Sequence, residues 1–158
     1  MKKYIWLLFI LLILIIGVFF SITYFQSIKP LNNAEQKAIK IALHETRLKT
    51  VDGFELYHGL ESISIIKGEN FNGEKIIVWI PESGKDIVVR KEKNGVTKQE
   101  AINKVKQLSN PKKIVDVRLG MEKGIPLWEI YYLSDSNLIN YYYVDFETGE
   151  WLKKIENL

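Results

Sequence analysis

From Tyr4 to Phe25 the chain carries no charged residue, and almost every position is an aliphatic or aromatic side chain. At a helical rise of about 1.5 Å per residue this run spans about 33 Å, close to the hydrocarbon thickness of a bilayer. A helix that is apolar all the way round needs an apolar surrounding on every side. The run therefore predicts a membrane-spanning helix and an anchor over residues 1–25. A cleaved secretory leader would carry a shorter apolar segment, roughly 7 to 15 residues, ahead of a small-residue cleavage site. The only small-x-small pattern nearby is Ser21-Ile22-Thr23. Tyr4 and Trp6 at one end and Tyr24 at the other stand where aromatic side chains favour the headgroup level.

Lys2 and Lys3 before the run are matched by Lys29, Lys37 and Lys40 after it, so charge alone leaves the orientation open. Long downstream domains translocate largely regardless of their charge, and the tail before the run is short. This favours a cytoplasmic N-terminus with the C-terminal part extracytoplasmic at the cell membrane. The chain has no cysteine, which excludes disulfides and thiolate metal sites and fits a domain working outside the reducing compartment. Setting Lys2 and Lys3 aside, the 22 basic and 19 acidic residues leave a net charge of about +1. Such a balance creates no field for nucleic acid.

Beyond the anchor the chain repeats itself. Gln36-Lys37-Ala38-Ile39 and Gln99-Glu100-Ala101-Ile102 lie 63 positions apart, and each opens a helical pattern. Thr97 with Glu100 has the form of a capping box, and Asn33 with Gln36 is a weaker equivalent. The predicted helices run over Ala34 to Thr46 and Lys98 to Leu108. After each, the periodicity turns to alternation. Strands are expected at 54–58, 61–67, 75–80 and 86–90 in the first unit, and at 114–119, 127–133, 138–146 and 151–155 in the second. The fold class that follows is α+β: an N-terminal transmembrane helix and two tandem units, each a helix across one face of an antiparallel meander sheet. Residues 26–32 form a short linker reaching about 25 Å at most, which holds the rest of the chain close to the bilayer. The first domain is placed at 33–94 and the second at 96–158.

The second unit resembles a PepSY domain. It carries a capped helix, a strand, then Gly124-Ile125-Pro126-Leu127-Trp128-Glu129-Ile130, and it ends on Val144-Asp145-Phe146-Glu147-Thr148-Gly149-Glu150. The whole layout, an anchor and two such units, resembles the TseB (YpmB-like) family of cell-wall elongation regulators. The resemblance implies two cystatin-like domains outside the membrane and assistance to a membrane-anchored penicillin-binding transpeptidase. Asp86-Ile87-Val88-Val89-Arg90 lacks the PepSY ending, so the first unit's place rests on architecture.

Signs of catalysis are few. His44-Glu45-Thr46-Arg47-Leu48 starts like a zincin helix but has leucine where a second imidazole must stand. His58 beside Gly59 sits at a turn. No Gly-x-Ser-x-Gly elbow and no glycine loop for phosphate is present. Catalytic, metal and cofactor-binding residues are therefore not expected. The chain reads as a non-enzymatic binding module in the membrane, with a PepSY-type peptidase inhibitor or chaperone at the cell surface as the alternative.

The aromatic stretch Tyr141-Tyr142-Tyr143 raises its own question. Strand alternation sends Leu138, Tyr142, Val144 and Phe146 to one face with Trp128, Ile130 and Tyr132, the expected core. It sends Tyr141 and Tyr143 to the other face beside Glu129 and Tyr131. That second face can be a solvated sheet surface, a docking surface built on Tyr131, Tyr141 and Tyr143, or a surface on which the two units stack.

Overall fold

The computed structural model describes the chain from Lys2 to Leu158, apart from the side chains of residues 2, 5, 7–9 and 24–28. The chain divides into two compact units, residues 1–37 and 38–158. Helix α1 covers Lys2–Glu45. The expected linker 26–32 is thus helical: Pro30 removes one intrahelical donor without ending the helix. The expected membrane span, Tyr4 to Phe25, includes side chains outside the described residues. Among the described residues no helix is long and apolar enough to cross a membrane.

Helix α1 stops one residue before the expected Thr46. The Thr46 hydroxyl folds back onto the Ala42 carbonyl at 2.5 Å and accepts from the Leu48 amide at 3.2 Å, which turns the chain directly into a strand. Four strands follow: β1 (Leu48–His58), β2 (Ser62–Asn70), β3 (Lys75–Pro81) and β4 (Val88–Lys91). They form an antiparallel sheet in sequence order. Strand β1 starts well before the expected Phe54. Two register shifts, between Leu48 and Thr50 and between Val51 and Gly53, break its alternation and hide its first half from a period-two reading.

A 3-10 turn at Glu92–Asn94 leads to helix α2 (Lys98–Ser109). Its capping box is formed: the Glu100 amide donates to the Thr97 hydroxyl at 3.2 Å, and the Thr97 amide donates to the Glu100 carboxylate at 2.7 Å. The Thr97 amide, and after it the Thr97 hydroxyl at 2.8 Å, hold the Glu100 carboxyl below its usual range. Asn110 adopts a left-handed conformation (φ 41°) and ends the helix. The second sheet contains β5 (Lys113–Glu122), β6 (Ile125–Leu133), β7 (Ile139–Asp145) and β8 (Trp151–Ile155), again antiparallel in sequence order. The architecture is α+β with two four-stranded antiparallel sheets. Leu138, expected in the core, falls before β7 and is exposed.

Each helix lies on its own sheet, yet the sheets do not have separate cores. Ala38 and Ala42 of α1 pack on Leu48, Ile66, Ile76, Val78 and Ile80, one face of the first sheet. Residues on its other face, among them Ile63, Ile65, Ile77 and Trp79, join a single buried cluster with Leu119, Trp128, Ile130, Val144 and Phe146 of the second. Helix α2 closes that cluster with Ala101 and Val105. Trp79 meets Phe146 edge to face, ring centroids 5.2 Å apart.

Thr97→Ala removes the hydroxyl that accepts the Glu100 amide. It is expected to lower stability by about 1 kcal/mol. Urea unfolding with an unchanged slope checks the value.

Candidate functional site

The two histidines sit on different elements, each beside a polar neighbour. His44 is exposed on α1, its Nδ1 2.9 Å from Glu45 Oε1, and His58 Nδ1 lies 3.2 Å from Ser62 Oγ at the β1–β2 turn. Among the described residues no cluster of three or more His, Asp or Glu could hold a metal ion. Two Ser-x-x-Lys tetrads occur, 64–67 and 109–112. Ser64 and Lys67 point to opposite faces of β2, and Lys67 is ion-paired with Glu55. Ser109 ends α2 with its hydroxyl buried, and the Lys112 ammonium donates to Asn137 at 2.8 Å.

The polar chemistry gathers on the outer face of the second sheet, opposite α2. Register places Arg118 beside Glu129 and Glu129 beside Tyr143 across β5, β6 and β7. Glu129 is a buried carboxylate, 4% exposed, and such a group persists only when its lone pairs are occupied. Arg118 donates to its Oε1 from Nε at 2.8 Å and lies 2.6 Å away through Nη2. The Tyr57 hydroxyl donates to its Oε2 at 3.0 Å. Tyr57 comes from β1 of the first sheet, so this hydrogen bond ties the two sheets together. The Arg118 guanidinium also sits over the Tyr57 ring, 5.7 Å from its centroid.

Gly120 makes the approach possible. A Cβ there would come within 2.7 Å of the Tyr57 ring, so a larger residue on β5 would push the first sheet away. Burial raises the Tyr57 hydroxyl far above the ordinary tyrosine value, and the Glu129 charge adds to the effect. Tyr143 is raised by the same two causes in the same order.

The three tyrosines singled out from the sequence share this face, as alternation requires, but their surroundings differ. Tyr143 is 6% exposed, beneath the Lys153 ammonium at 4.5 Å from the ring centroid. Lys153 in turn pairs with Glu122 at 3.1 Å. Tyr143 is therefore not available as a docking residue. Tyr131 and Tyr141 are half-buried cross-strand partners, stacked with centroids 5.2 Å apart and planes 17° apart. They form the accessible aromatic patch of this face. Glu129, expected outward, is covered by Tyr57. Sequence reasoning missed Tyr57, Arg118 and Gly120, because their meeting depends on register and on how the sheets approach; a glycine within the apolar run of β5 is the one local hint.

The sequence model of the cell wall elongation regulator TseB-like domain matches residues 37–81, from α1 through β3. The chain is 35% identical over 115 residues to the "Probable cell wall elongation regulator TseB" of Bacillus subtilis (strain 168), an overlap that covers 72% of this chain and 71% of that protein. Among solved structures it is similar to the YpmB protein from Bacillus subtilis, with a TM-score of 0.74 and 33% identity over 77% of this chain and 95% of that one. The matched family segment covers the end of α1 and strands β1 to β3, the part of the chain with the weaker sequence motifs.

Tyr57→Phe keeps the ring over Gly120 and removes only the donor to Glu129. Chemical unfolding is expected to show a loss of about 1–3 kcal/mol at neutral pH, since the buried carboxylate loses a partner. A tyrosine whose folded value is raised contributes stability that is full below the unfolded value of about 10 and lost as pH rises beyond it. The gap between wild type and variant should therefore narrow above that pH.

Proposed function

The chain belongs to the TseB-like cell wall elongation regulator family, and from that premise we propose that it is a membrane-anchored, extracytoplasmic binding module without catalytic activity. In this reading it regulates cell-wall elongation through a membrane-anchored penicillin-binding transpeptidase. The observation that carries the proposal is the 35% identity to a relative whose name is that of a cell wall elongation regulator. The anchor reading is supported by the uncharged run from Tyr4 to Phe25 within one continuous helix, with the N-terminus cytoplasmic. The proposed domains are 1–25 as anchor, 26–32 as connection, and 33–94 and 96–158 as the two cystatin-like units.

Residues 26–32 reach about 25 Å at most even when fully extended. A partner held in the same membrane suits that reach better than a diffusing one. Docking is assigned to Tyr131 and Tyr141, which offer a stiff apolar area with two hydroxyls on the uncovered part of the sheet.

The experiment is a crosslinking capture from intact membranes, read with labelled penicillin. The protein is expected to stay with membranes through a carbonate wash and to capture a penicillin-binding band. Tyr131→Ser with Tyr141→Ser should reduce that capture by about tenfold or more, at about 1–2 kcal/mol per well-packed tyrosine. Release by carbonate would overturn the anchor. Undiminished capture by the folded double variant would overturn the docking assignment.

A further inference from the structure

We propose that the crevice where the two sheets meet the start of helix α2 binds a free apolar amino acid in its zwitterionic form. The crevice is on the α2 side of the second sheet, the face opposite Tyr131 and Tyr141, and the inference does not rest on the identity of any protein partner.

The floor of the crevice is apolar and its walls are fixed. Ile77 of β3 lies against Leu119, Trp128 and Phe146 from the second sheet, and all four are buried. The Val96 amide donates to the Phe146 carbonyl at 2.7 Å, and Trp128 Nε1 donates to the Val96 carbonyl at 2.9 Å. Gly95 lets this strap lie so close, since a Cβ there would come within 2.1 Å of the Phe146 ring. The cavity volume is about 250 Å³, which suits a single amino acid and is below the roughly 300–1,000 Å³ of sites for drug-sized ligands. A preformed site of this kind binds without the cost of reordering its walls.

Three charged side chains line the crevice: Lys67, Glu92 and Lys98. Lys67 is already ion-paired with Glu55. Glu100, the acid nearest Lys98 along α2, is held by Thr97 in the capping box. Among the described residues Glu92 and Lys98 form no ion pair, and both are exposed. One free anion and one free cation therefore stand over an apolar floor.

These groups select the occupant. An apolar carboxylic acid could meet Lys98 but would bring its charge beside Glu92, and an apolar amine could meet Glu92 but would face Lys98. A ligand with an ammonium, a carboxylate and an apolar side chain satisfies both charges and fills the floor. A charged side chain would be desolvated against Ile77, Leu119, Trp128 and Phe146 without a partner. Glycine would leave the floor unfilled.

The test titrates L-leucine into the full chain in neutral detergent and reads binding by calorimetry. Saturable binding is expected, with none for glycine or L-lysine. N-acetyl-leucine lacks the ammonium and leucinamide lacks the carboxylate, and each should bind about fivefold more weakly than leucine. Glu92→Gln should remove the discrimination against N-acetyl-leucine, and Lys98→Gln the discrimination against leucinamide. A merely structural role of either residue would not produce this crossed pattern. Both positions are solvated, and circular dichroism is expected to show the fold unchanged. Absence of saturable leucine binding, equal binding of leucine and doubly blocked N-acetyl-leucinamide, or failure of the crossed pattern in the folded variants would overturn the proposal. No transpeptidase enters these readouts, so failure here is distinct from failure of the proposed function.

Discussion

Ile76 to Ile80 in β3 are buried on both faces of the strand, and this requirement organises the rest of the molecule. Ile76, Val78 and Ile80 need cover on one side, and Ile77 and Trp79 on the other. An antiparallel sheet with one wet face could not hold such a strand. Helix α1 supplies the first cover through two alanines, small enough to let the helix close on the sheet. The second cover cannot be local, because the first unit has no other helix, and the second sheet provides it with Leu119, Trp128 and Phe146. Two repeated units therefore become one packed body over residues 38–158.

The Tyr57–Glu129–Arg118 cluster follows from that union. Burying a carboxylate costs several kcal/mol unless it is fully partnered, and here one partner comes from each sheet. Removing Arg118 leaves an uncompensated charge and removing the Tyr57 hydroxyl leaves a carboxylate oxygen without its donor, so the cluster fixes the approach of the sheets more than it adds net stability. Gly120 sets how close the approach is. The outer face of the second sheet is partitioned as a result. Tyr143 and Glu129 are consumed by the junction, while Tyr131 and Tyr141 remain at the surface.

Much of the local structure was legible because local chemistry determines it. Thr97 and Glu100 announced α2, and the alternation of Trp128, Ile130 and Tyr132 correctly identified the core side of β6. The anchor-like run, the repeat and the ending Val144 to Glu150 pointed to the family that the comparisons support. Features that depend on distant parts of the chain were not legible. The first half of β1 is masked by two register shifts, and helix continuity through Pro30 is not signalled by propensity. Tyr57 reads as an ordinary strand tyrosine until the register of β1, β5 and β6 is known. Tyr143 reads as outward because alternation gives a face but not what covers it.

The central claim is that the two sheets share a core and cannot unfold separately. Scanning calorimetry on the chain beginning at Asn33 tests this most directly. The account predicts a single transition whose calorimetric enthalpy equals the van't Hoff enthalpy. Two resolved transitions, or a calorimetric enthalpy well above the van't Hoff value, would show that each sheet is stable alone and would contradict it.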